Sequence, residues 1–490
     1  MKSVGETGLA LLGDDLESAE AVLMNYEIVM RNEQLVDRLP YSEELMEPYI
    51  GIFWHYGNNK NLEAAMRWFQ IVERLAQEHH DLRALCRLYH FSGDLLMNSG
   101  DSQGAISRFQ QSLEISTKIG DDKHKSWNIV DMAGIFLSLG DIQKAEEYAY
   151  KGLEITDRVG NKVYLAISYT WVGIISTCKG DLEKAVNAHQ KTIQILREIH
   201  SPWEDMASWI AWATHRLGWT YLHKGERLKA LNQFKEMIEL KKTDPFILAV
   251  ALSGLEEAYQ DAEEFHAFCR HLQENPEIGD PLFVQWYLEP SKGISFTRDP
   301  VYEDFNSPDW VWHDQFGDCS FKIGSGVEIH AANGRDLWYI NLSAPRILRQ
   351  VSGNFSILTV CIPVYEEKPA RGGILLWKDE RNFLRLEKGD SGLYDIIFHG
   401  YIGDRDVVIG RGRLTSERAL LRLEKIGVNV NALCSADGKE WFSVGHVEFP
   451  VDDPVEVGLY AIGNINRSVY PGAYPDGTAI RFESFQLLGQ

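Results

Sequence analysis

"NSGDSQGAISRF" (98–109), "SLGDIQKAEEYA" (138–149) and "CKGDLEKAVNAH" (178–189) are one phrase written three times. A drifted copy, "HKGERLKALNQF", stands at 223–234, and a weaker one, "NNKNLEAAMRWF", at 58–69. The alanines fall at Ala65, Ala105, Ala145, Ala185 and Ala230, spaced by 40, 40, 40 and 45 residues. A fixed period of this size predicts stacked supersecondary units, each burying the apolar face that its neighbour exposes.

Each copy has the chemistry of a helix hairpin. A small residue (Gly93, Ala133, Gly173 or Gly218) precedes the connector glycine by seven positions and lets two helices approach closely. The Gly-Asp connector ends one helix, since Gly tolerates a left-handed backbone, and Asp caps the next. The alanine five positions on lets the second helix pack tightly, and an aromatic often follows it: Phe69, Phe109 and Phe234.

These residues resemble the tetratricopeptide repeat. "HRLGWTYLHKGERLKALNQF" (215–234) is the best copy, with Leu217, Gly218, Tyr221, Gly225, Ala230 and Phe234 at that family's spacing. The period exceeds the family's usual 34 residues, so longer helices or connectors are expected, as in kinesin-light-chain repeats. The resemblance covers about residues 40–240. "GDDLESAEAVL" (13–23) reads as a degenerate connector with a second helix, and "LEEAYQDAEEFHAFCRHL" (255–272) as the closing helices.

At 490 residues two or three domains are expected, with 44% hydrophobic and 24% charged residues as in soluble globular chains. Neither a membrane span nor a secretion signal is legible, and six scattered cysteines without C-x-x-C fit reduced thiols in the cytoplasm. The formal charge of −22 argues against a general nucleic-acid binder, which needs clustered Lys and Arg.

Beyond about residue 275 the helical period stops. "LEPSKGISFTRDP" (288–300) carries breakers, and short alternating runs follow, such as "FSILTVCIPV" (355–364), "GGILLWK" (372–378), "NFLRLEK" (382–388) and "ALLRLEK" (419–425). Many short strands over some 200 residues predict an antiparallel β-sandwich or jelly roll. The expected organisation is a helical solenoid over 1–275, a linker over 276–299 and a sandwich over 300–490. "NGRDLWYINLSAPRILRQVSGNFSILTVCI" (333–362), "RGGILLWKDERNFLRLEKG" (371–389), "SADGKEWFSVG" (435–445) and "YPGAYPDGTAIRFESFQL" (470–487) resemble the concanavalin A-like lectin/glucanase sandwich, within it the C-terminal module of some β-xylosidases. That group includes non-catalytic modules, so the resemblance implies a fold more than an activity. By analogy it also raises a structural calcium near Glu303 and Asp304, although the sequence has no calcium loop.

Strand alternation sorts the sandwich's faces. Ile374, Leu376, Leu384, Leu386, Leu421 and Leu423 point to the core. Trp377, Phe383, Arg385, Glu387, Arg422, Glu424, Asn429 and Asn431 point the other way, on one face if these strands lie together. An aromatic platform among Arg, Glu and Asn suits a sugar; the same residues also serve as plain cross-strand pairs.

No P-loop, H-E-x-x-H, G-x-S-x-G or EF-hand loop is present. Glu387 and Glu424 are the only carboxylates proposed for one face, each two residues from an arginine, which favours ion pairing over catalysis. No catalytic residue, cofactor or metal is expected. Function is expected in the solenoid, where tetratricopeptide arrays line a groove with the first helix of each pair. The resemblance places Trp54, Arg87, His90, Asp94, Asn98, Trp127, Asp131, Thr170, Trp171, Trp212, His215, Arg216, Trp219 and His223 there. Trp and Arg are enriched at binding hot spots. The expected role is a non-catalytic scaffold or adaptor, with a protein or peptide in the groove and a second recognition surface on the sandwich. The alternatives are a carbohydrate-binding protein that the solenoid presents, a glycoside hydrolase-like enzyme, or a subunit of a bacterial signalling or defence system.

Overall fold

The computed structural model describes residues 41–199, 205–241, 244–275, 288–294, 301–365 and 368–489. The degenerate helical segment read at 13–23 lies outside the described residues, as does most of the expected linker. Twelve helices are found among the described residues: α1 (Glu43–Asn58), α2 (Leu62–Glu78), α3 (Leu82–Asn98), α4 (Ser102–Ile119), α5 (Asp122–Ser138), α6 (Ile142–Val159), α7 (Lys162–Cys178), α8 (Leu182–Arg197), α9 (Met206–His223), α10 (Arg227–Leu240), α11 (Pro245–Ala258) and α12 (Ala262–Gln273).

The physical period of the helices is half the one read from the sequence. A left-handed residue recurs at Lys60, His80, Gly100, Gly120, Gly140, Gly160 and Gly180, with φ between 57° and 90°. The next Asp or Asn caps the following helix every time. Asn61, Asp81, Asp101, Asp121, Asp141, Asn161 and Asp181 each accept the backbone N–H three residues on, at 2.8–3.3 Å. Each such cap is worth about 1 kcal/mol. The 40-residue unit is therefore two helices of 16–18 residues joined by two- or three-residue turns, so the excess over 34 sits in helix length. The 45-residue spacing falls at the passage from α8 to α9, where 200–204 lie outside the described residues.

In three of the four phrases the small residue is a glycine that seats a ring sixteen positions on; the fourth pairs Ala133 with Ala149. A Cβ on Gly93 would stand 2.7 Å from the Phe109 ring, and one on Gly218 would stand 2.6 Å from the Phe234 ring. His189 takes the same position against Gly173. Phe109 and Phe234 are fully buried, so neither ring can yield easily.

After the helices come sixteen strands among the described residues: β1 (Glu289–Ser291), β2 (Val301–Tyr302), β3 (Val311–His313), β4 (Ser320–Ile323), β5 (Val327–Ala331), β6 (Arg346–Val351), β7 (Phe355–Pro363), β8 (Gly372–Asp379), β9 (Asn382–Lys388), β10 (Asp395–Ile402), β11 (Arg405–Arg413), β12 (Ala419–Ile426), β13 (Asn429–Ser435), β14 (Trp441–Glu448), β15 (Val455–Ala461) and β16 (Thr478–Gly489). They form two antiparallel sheets. One runs β1-β14-β13-β12-β7-β16-β5-β4, with β2 also on β16; the other runs β11-β10-β9-β8-β15-β6-β3. Ile374, Leu376, Leu384, Leu386, Leu421 and Leu423 lie together in the core, as the alternation predicts. Strand β1 falls inside the expected linker. Its Pro290 reads as a breaker, yet an edge strand tolerates proline.

By contact density the chain divides into two compact units. The first holds the helices up to Ile175, with Asn187–Trp209 and Trp338–Asn341; the second holds Ser176–Val186, Ile210–Leu337 and Leu342–Gln490. Helices α10–α12 and all but the first turn of α9 are thus grouped with the sandwich, whereas the composition change expected as a boundary lies at 275–300. The reason is chemical. In the second unit the buried Arg411 of β11 donates to the carbonyl of Ala249 in α11 at 3.0 Å and pairs with Asp395 at 2.8 Å, and Arg413 pairs with Glu257.

The ring seat gives a direct test. Gly93→Ala is expected to cost about 1–3 kcal/mol in urea unfolding, through overpacking against Phe109. Gly120→Asn, at a left-handed position with open space around it, is expected to cost under about 1 kcal/mol.

Candidate functional site

The first helices of the repeats carry their aromatic residues in the seams between units. In the first unit Trp54 meets Phe91 at 5.4 Å, His90 meets Trp127 at 5.3 Å, and Trp127 stacks on Tyr164 at 5.1 Å. The Trp171 ring lies over Gly134, where a Cβ would come within 2.7 Å. In the second unit Trp219 packs on Phe234, Trp212 on Phe246, and His223 Nε2 lies 2.8 Å from the Ser468 carbonyl.

The expected open groove is therefore corrected. His90 and His215 are 1% exposed, Trp127 3% and Trp219 5%; all four are packing residues. Trp54, Arg87, Asp94, Asp131, Thr170, Trp171, Trp212, Arg216 and His223 are half-buried, and only Asn98 is exposed. The residues also fall in different units: Trp54 to Trp171 in the first, Trp212 to His223 in the second. Long helices bring successive helix pairs of the same unit together through rings, so aromatic residues on first helices fill seams here.

The first unit has a pocket of about 830 Å³ at the N-terminal ends of α1, α3 and α5. Arg87 is the one expected groove residue that lines it, beside Glu47, His79, Asp81, Arg83 and His124. Arg87 and Glu47 form an ion pair, and His124 Nδ1 donates to Asp121 at 2.6 Å. Burial pushes Glu47 up and Arg87 down, with each partner opposing the shift of the other. Three buried polar atoms of these residues have no hydrogen-bond partner: Arg87 Nε, Glu47 Oε2 and His124 Nε2. Orphaned polar atoms are costly and uncommon in native proteins. Sequence reading missed Glu47 and His124, since neither stands at a family groove position.

One helical turn from Arg87, the structure assembles three residues that the sequence placed separately in the groove. His90 Nε2 lies 3.5 Å from Asp94 Oδ2, and His90 Nδ1 lies 4.0 Å from Asp131 Oδ2. Burial pushes Asp131 up to about 8 and Asp94 well above the carboxylate range, the latter helped by Asp131; burial pushes His90 down to about 3.

The sandwich residues do not share a face. Trp377, Phe383, Arg385 and Glu387 belong to the seven-stranded sheet; Arg422, Glu424, Asn429 and Asn431 belong to the nine-stranded one. Both sets point away from the core between the sheets. The platform is also closed. Trp377 stacks on Phe383 at 5.0 Å under the Arg346 guanidinium, and Phe383, Arg385 and Glu387 are fully buried. Glu387 accepts from Arg371 at 2.8 and 2.9 Å and from Tyr460, with His399 at 3.2 Å. Burial favours its neutral form, but the charges of Arg371, Arg385 and His399 outweigh that and hold it well below the usual range. Glu424 pairs with Arg422 at 2.6 Å and accepts the Ile294 N–H at 3.0 Å. The two carboxylates stand on separate sheets, each ion-paired. Glu303 pairs with Arg349, and Asp304 accepts from Asn306.

Residues 84–158, helices α3 to α6, match the family model of the tetratricopeptide repeat. Among curated proteins none matches the chain. A GH43 protein from Bacillus licheniformis is similar in structure at 14% identity, over 39% of each chain, with a TM-score of 0.32. A Signal Transduction ATPase with Numerous Domains protein with a tetratricopeptide repeat sensor, from Pyrococcus horikoshii, is similar at 21% identity. That match covers 52% of this chain and 41% of the other, with a TM-score of 0.43. A functionally unknown protein from Saccharomyces cerevisiae is similar at 17% identity over 37% of this chain and 97% of its own, with a TM-score of 0.31. The chain thus spans less than half of the Bacillus and Pyrococcus proteins.

The buried network around Arg385 makes a pH prediction. On β11, Asp406 has an unpartnered buried Oδ1, and burial pushes its carboxyl up to about 7 against the pull of Arg385. The folded chain then keeps a proton that the unfolded chain loses near pH 4. That contribution is complete below pH 4 and lost as pH rises to about 7, with a slope of at most about 1.4 kcal/mol per pH unit. Asp406→Asn should remove this part of the slope in urea unfolding measured between pH 4 and 8.

Proposed function

We propose that the chain is a non-catalytic interaction protein whose helical repeats hold a segment of a partner protein at the pocket of α1, α3 and α5. Tetratricopeptide repeats support a protein-interaction role, and the pocket gives that role a place. The observation that carries the reading is the cavity lined by Arg87, Glu47 and His124, each of which keeps one buried polar atom without a hydrogen-bond partner. A guanidinium, a carboxyl and an imidazole side by side complement peptide or side-chain amide groups, which offer C=O and N–H together. The volume of about 830 Å³ lies in the usual range for binding cavities. The six unpaired cysteines support a reducing compartment such as the cytoplasm. The sandwich supplies a second recognition surface in this reading. The glycan alternative rests on the nine-stranded sheet, where Asn429 is exposed, Asn431 is half-buried and Arg422 lies over Trp441.

Two rim residues permit a test without disturbing the core. Arg83 and Asp122 are exposed and line the pocket. Arg83→Glu with Asp122→Lys reverses both charges and should keep the circular dichroism spectrum, with only a small fall in melting temperature from the loss of the exposed Asp122–Arg158 pair at 3.1 Å. Affinity for the partner captured by the full-length chain should fall at least about tenfold, or 1.4 kcal/mol. A folded double variant that binds its partner as tightly as the parent rejects the pocket. A glycan array with the full chain separates the alternative, since binding unaffected by this variant and lost in Asn429→Ala would favour the sandwich.

A further inference from the structure

His90 is held in one tautomer by a neighbour that has no freedom of its own. Asn128 Nδ2 donates to Ser112 Oγ at 2.8 Å and to the His124 carbonyl at 2.9 Å. A carbonyl only accepts, so the Nδ2 end of this amide is fixed as the donor and Oδ1 as the acceptor. Oδ1 lies 3.0 Å from His90 Nδ1, which must therefore carry the proton. The lone pair is left on Nε2, and Nε2 faces the Asp94 carboxylate at 3.5 Å. A lone pair facing a carboxyl oxygen at this distance calls for a positive group between them, either a proton carried by Asp94 or a cation in its place. An imidazole whose other N–H is tied to a carbonyl is the arrangement that orients metal-binding histidines.

The two carboxylates make the same demand. Asp94 sits one turn from His90 on α3, and Asp131 reaches the site from α5. One ligand atom from each of the three residues lies within 4.8 Å of the other two. Asp131 Oδ2 is buried and has no hydrogen-bond partner. Among the described residues, His90 is the only ion-pair partner of either carboxylate. The sequence makes these residues exceptions. Forty positions away, Asp131 is matched by Phe91 and Trp171, and Asn128 by Leu88 and Ser168.

We propose that His90, Asp94 and Asp131 bind a divalent transition-metal cation of the Zn²⁺ kind, with Asn128 as the positioning residue. A dication, two carboxylates and a neutral imidazole sum to zero charge, which suits a buried site whose carboxylates have no Lys or Arg ion-pair partner among the described residues. Tetrahedral Zn²⁺ with bonds of about 2.0–2.1 Å sets its ligand atoms roughly 3.4 Å apart. The His90 Nε2–Asp94 Oδ2 separation of 3.5 Å already matches, and the three ligand atoms lie within 4.8 Å of one another. The side chains of Asp94 and Asp131 are 14% and 12% exposed, which leaves an edge for ion entry and for a water as fourth ligand. The site would tie α3 to α5, adjacent first helices of the array.

The test uses the untagged full-length chain after chelator treatment, titrated calorimetrically with Zn²⁺ and, for comparison, Mg²⁺. One equivalent of Zn²⁺ is expected, with Mg²⁺ at least about a hundredfold weaker. Asp131→Asn, nearly isosteric, should weaken Zn²⁺ at least tenfold while the circular dichroism spectrum is kept. Asn128→Leu should weaken it about 10- to 100-fold through the imidazole. Co²⁺ gives a second readout: its visible absorption bands should be lost in His90→Gln. Less than a third of an equivalent of Zn²⁺ in the parent would overturn the proposal. So would uptake that survives Asp131→Asn and Asp94→Asn but disappears in Cys319→Ala, since Asp314, Asp318 and Cys319 form a second cluster of candidate ligands.

Discussion

The helical half depends on one local device: a residue that can turn left-handed, followed by an Asp or Asn that caps the next helix. It recurs every twenty residues from Lys60–Asn61 to Gly180–Asp181. A helix of 16–18 residues is marginal alone, so where each helix stops decides which face meets its neighbours. Seven identical stops keep the first and second helices in phase. That phase brings Gly93 to Phe109, and it puts His90 beside Asn128 and Asp131. The candidate sites follow from it, because they are built from side chains a turn or two past these caps.

Legibility followed locality. The 40-residue phrase and the change to alternating strands were readable because both are written in consecutive residues. The 20-residue half-period was harder to see, since Lys60 and His80 hold left-handed positions where glycine was sought. The inward leucines of β8, β9 and β12 were correct, since alternation is local. Sheet membership was not, because β12 pairs with β7 across some sixty residues of chain. That one nonlocal fact separates Glu387 from Glu424. Burial failed for the same reason: Trp127 and Trp219 lie on first helices as expected, but their seams are made by residues distant in sequence, such as Tyr164 for Trp127.

The two sites of the first unit were partly visible. Arg87, His90, Asp94 and Asp131 were all selected from the sequence, for a groove that their packing does not leave open. Their partners Glu47, Asn128 and His124 were missed, although Asp131 replaces Phe91 and Trp171 of the neighbouring copies, and Asn128 replaces Leu88 and Ser168. Departures from a repeat, more than its consensus, mark where an array does something once. In a solenoid the consensus residues carry packing, and the exceptions are free to carry recognition.

The central claim is that recognition occurs at the N-terminal ends of α1, α3 and α5. Hydrogen–deuterium exchange on the full-length chain, with and without its captured partner, tests it most directly. The account predicts new protection at 79–87 and 119–124, the turns and first helical turns that line the pocket. Protection confined to the strands, with these turns exchanging as in the free chain, would contradict it.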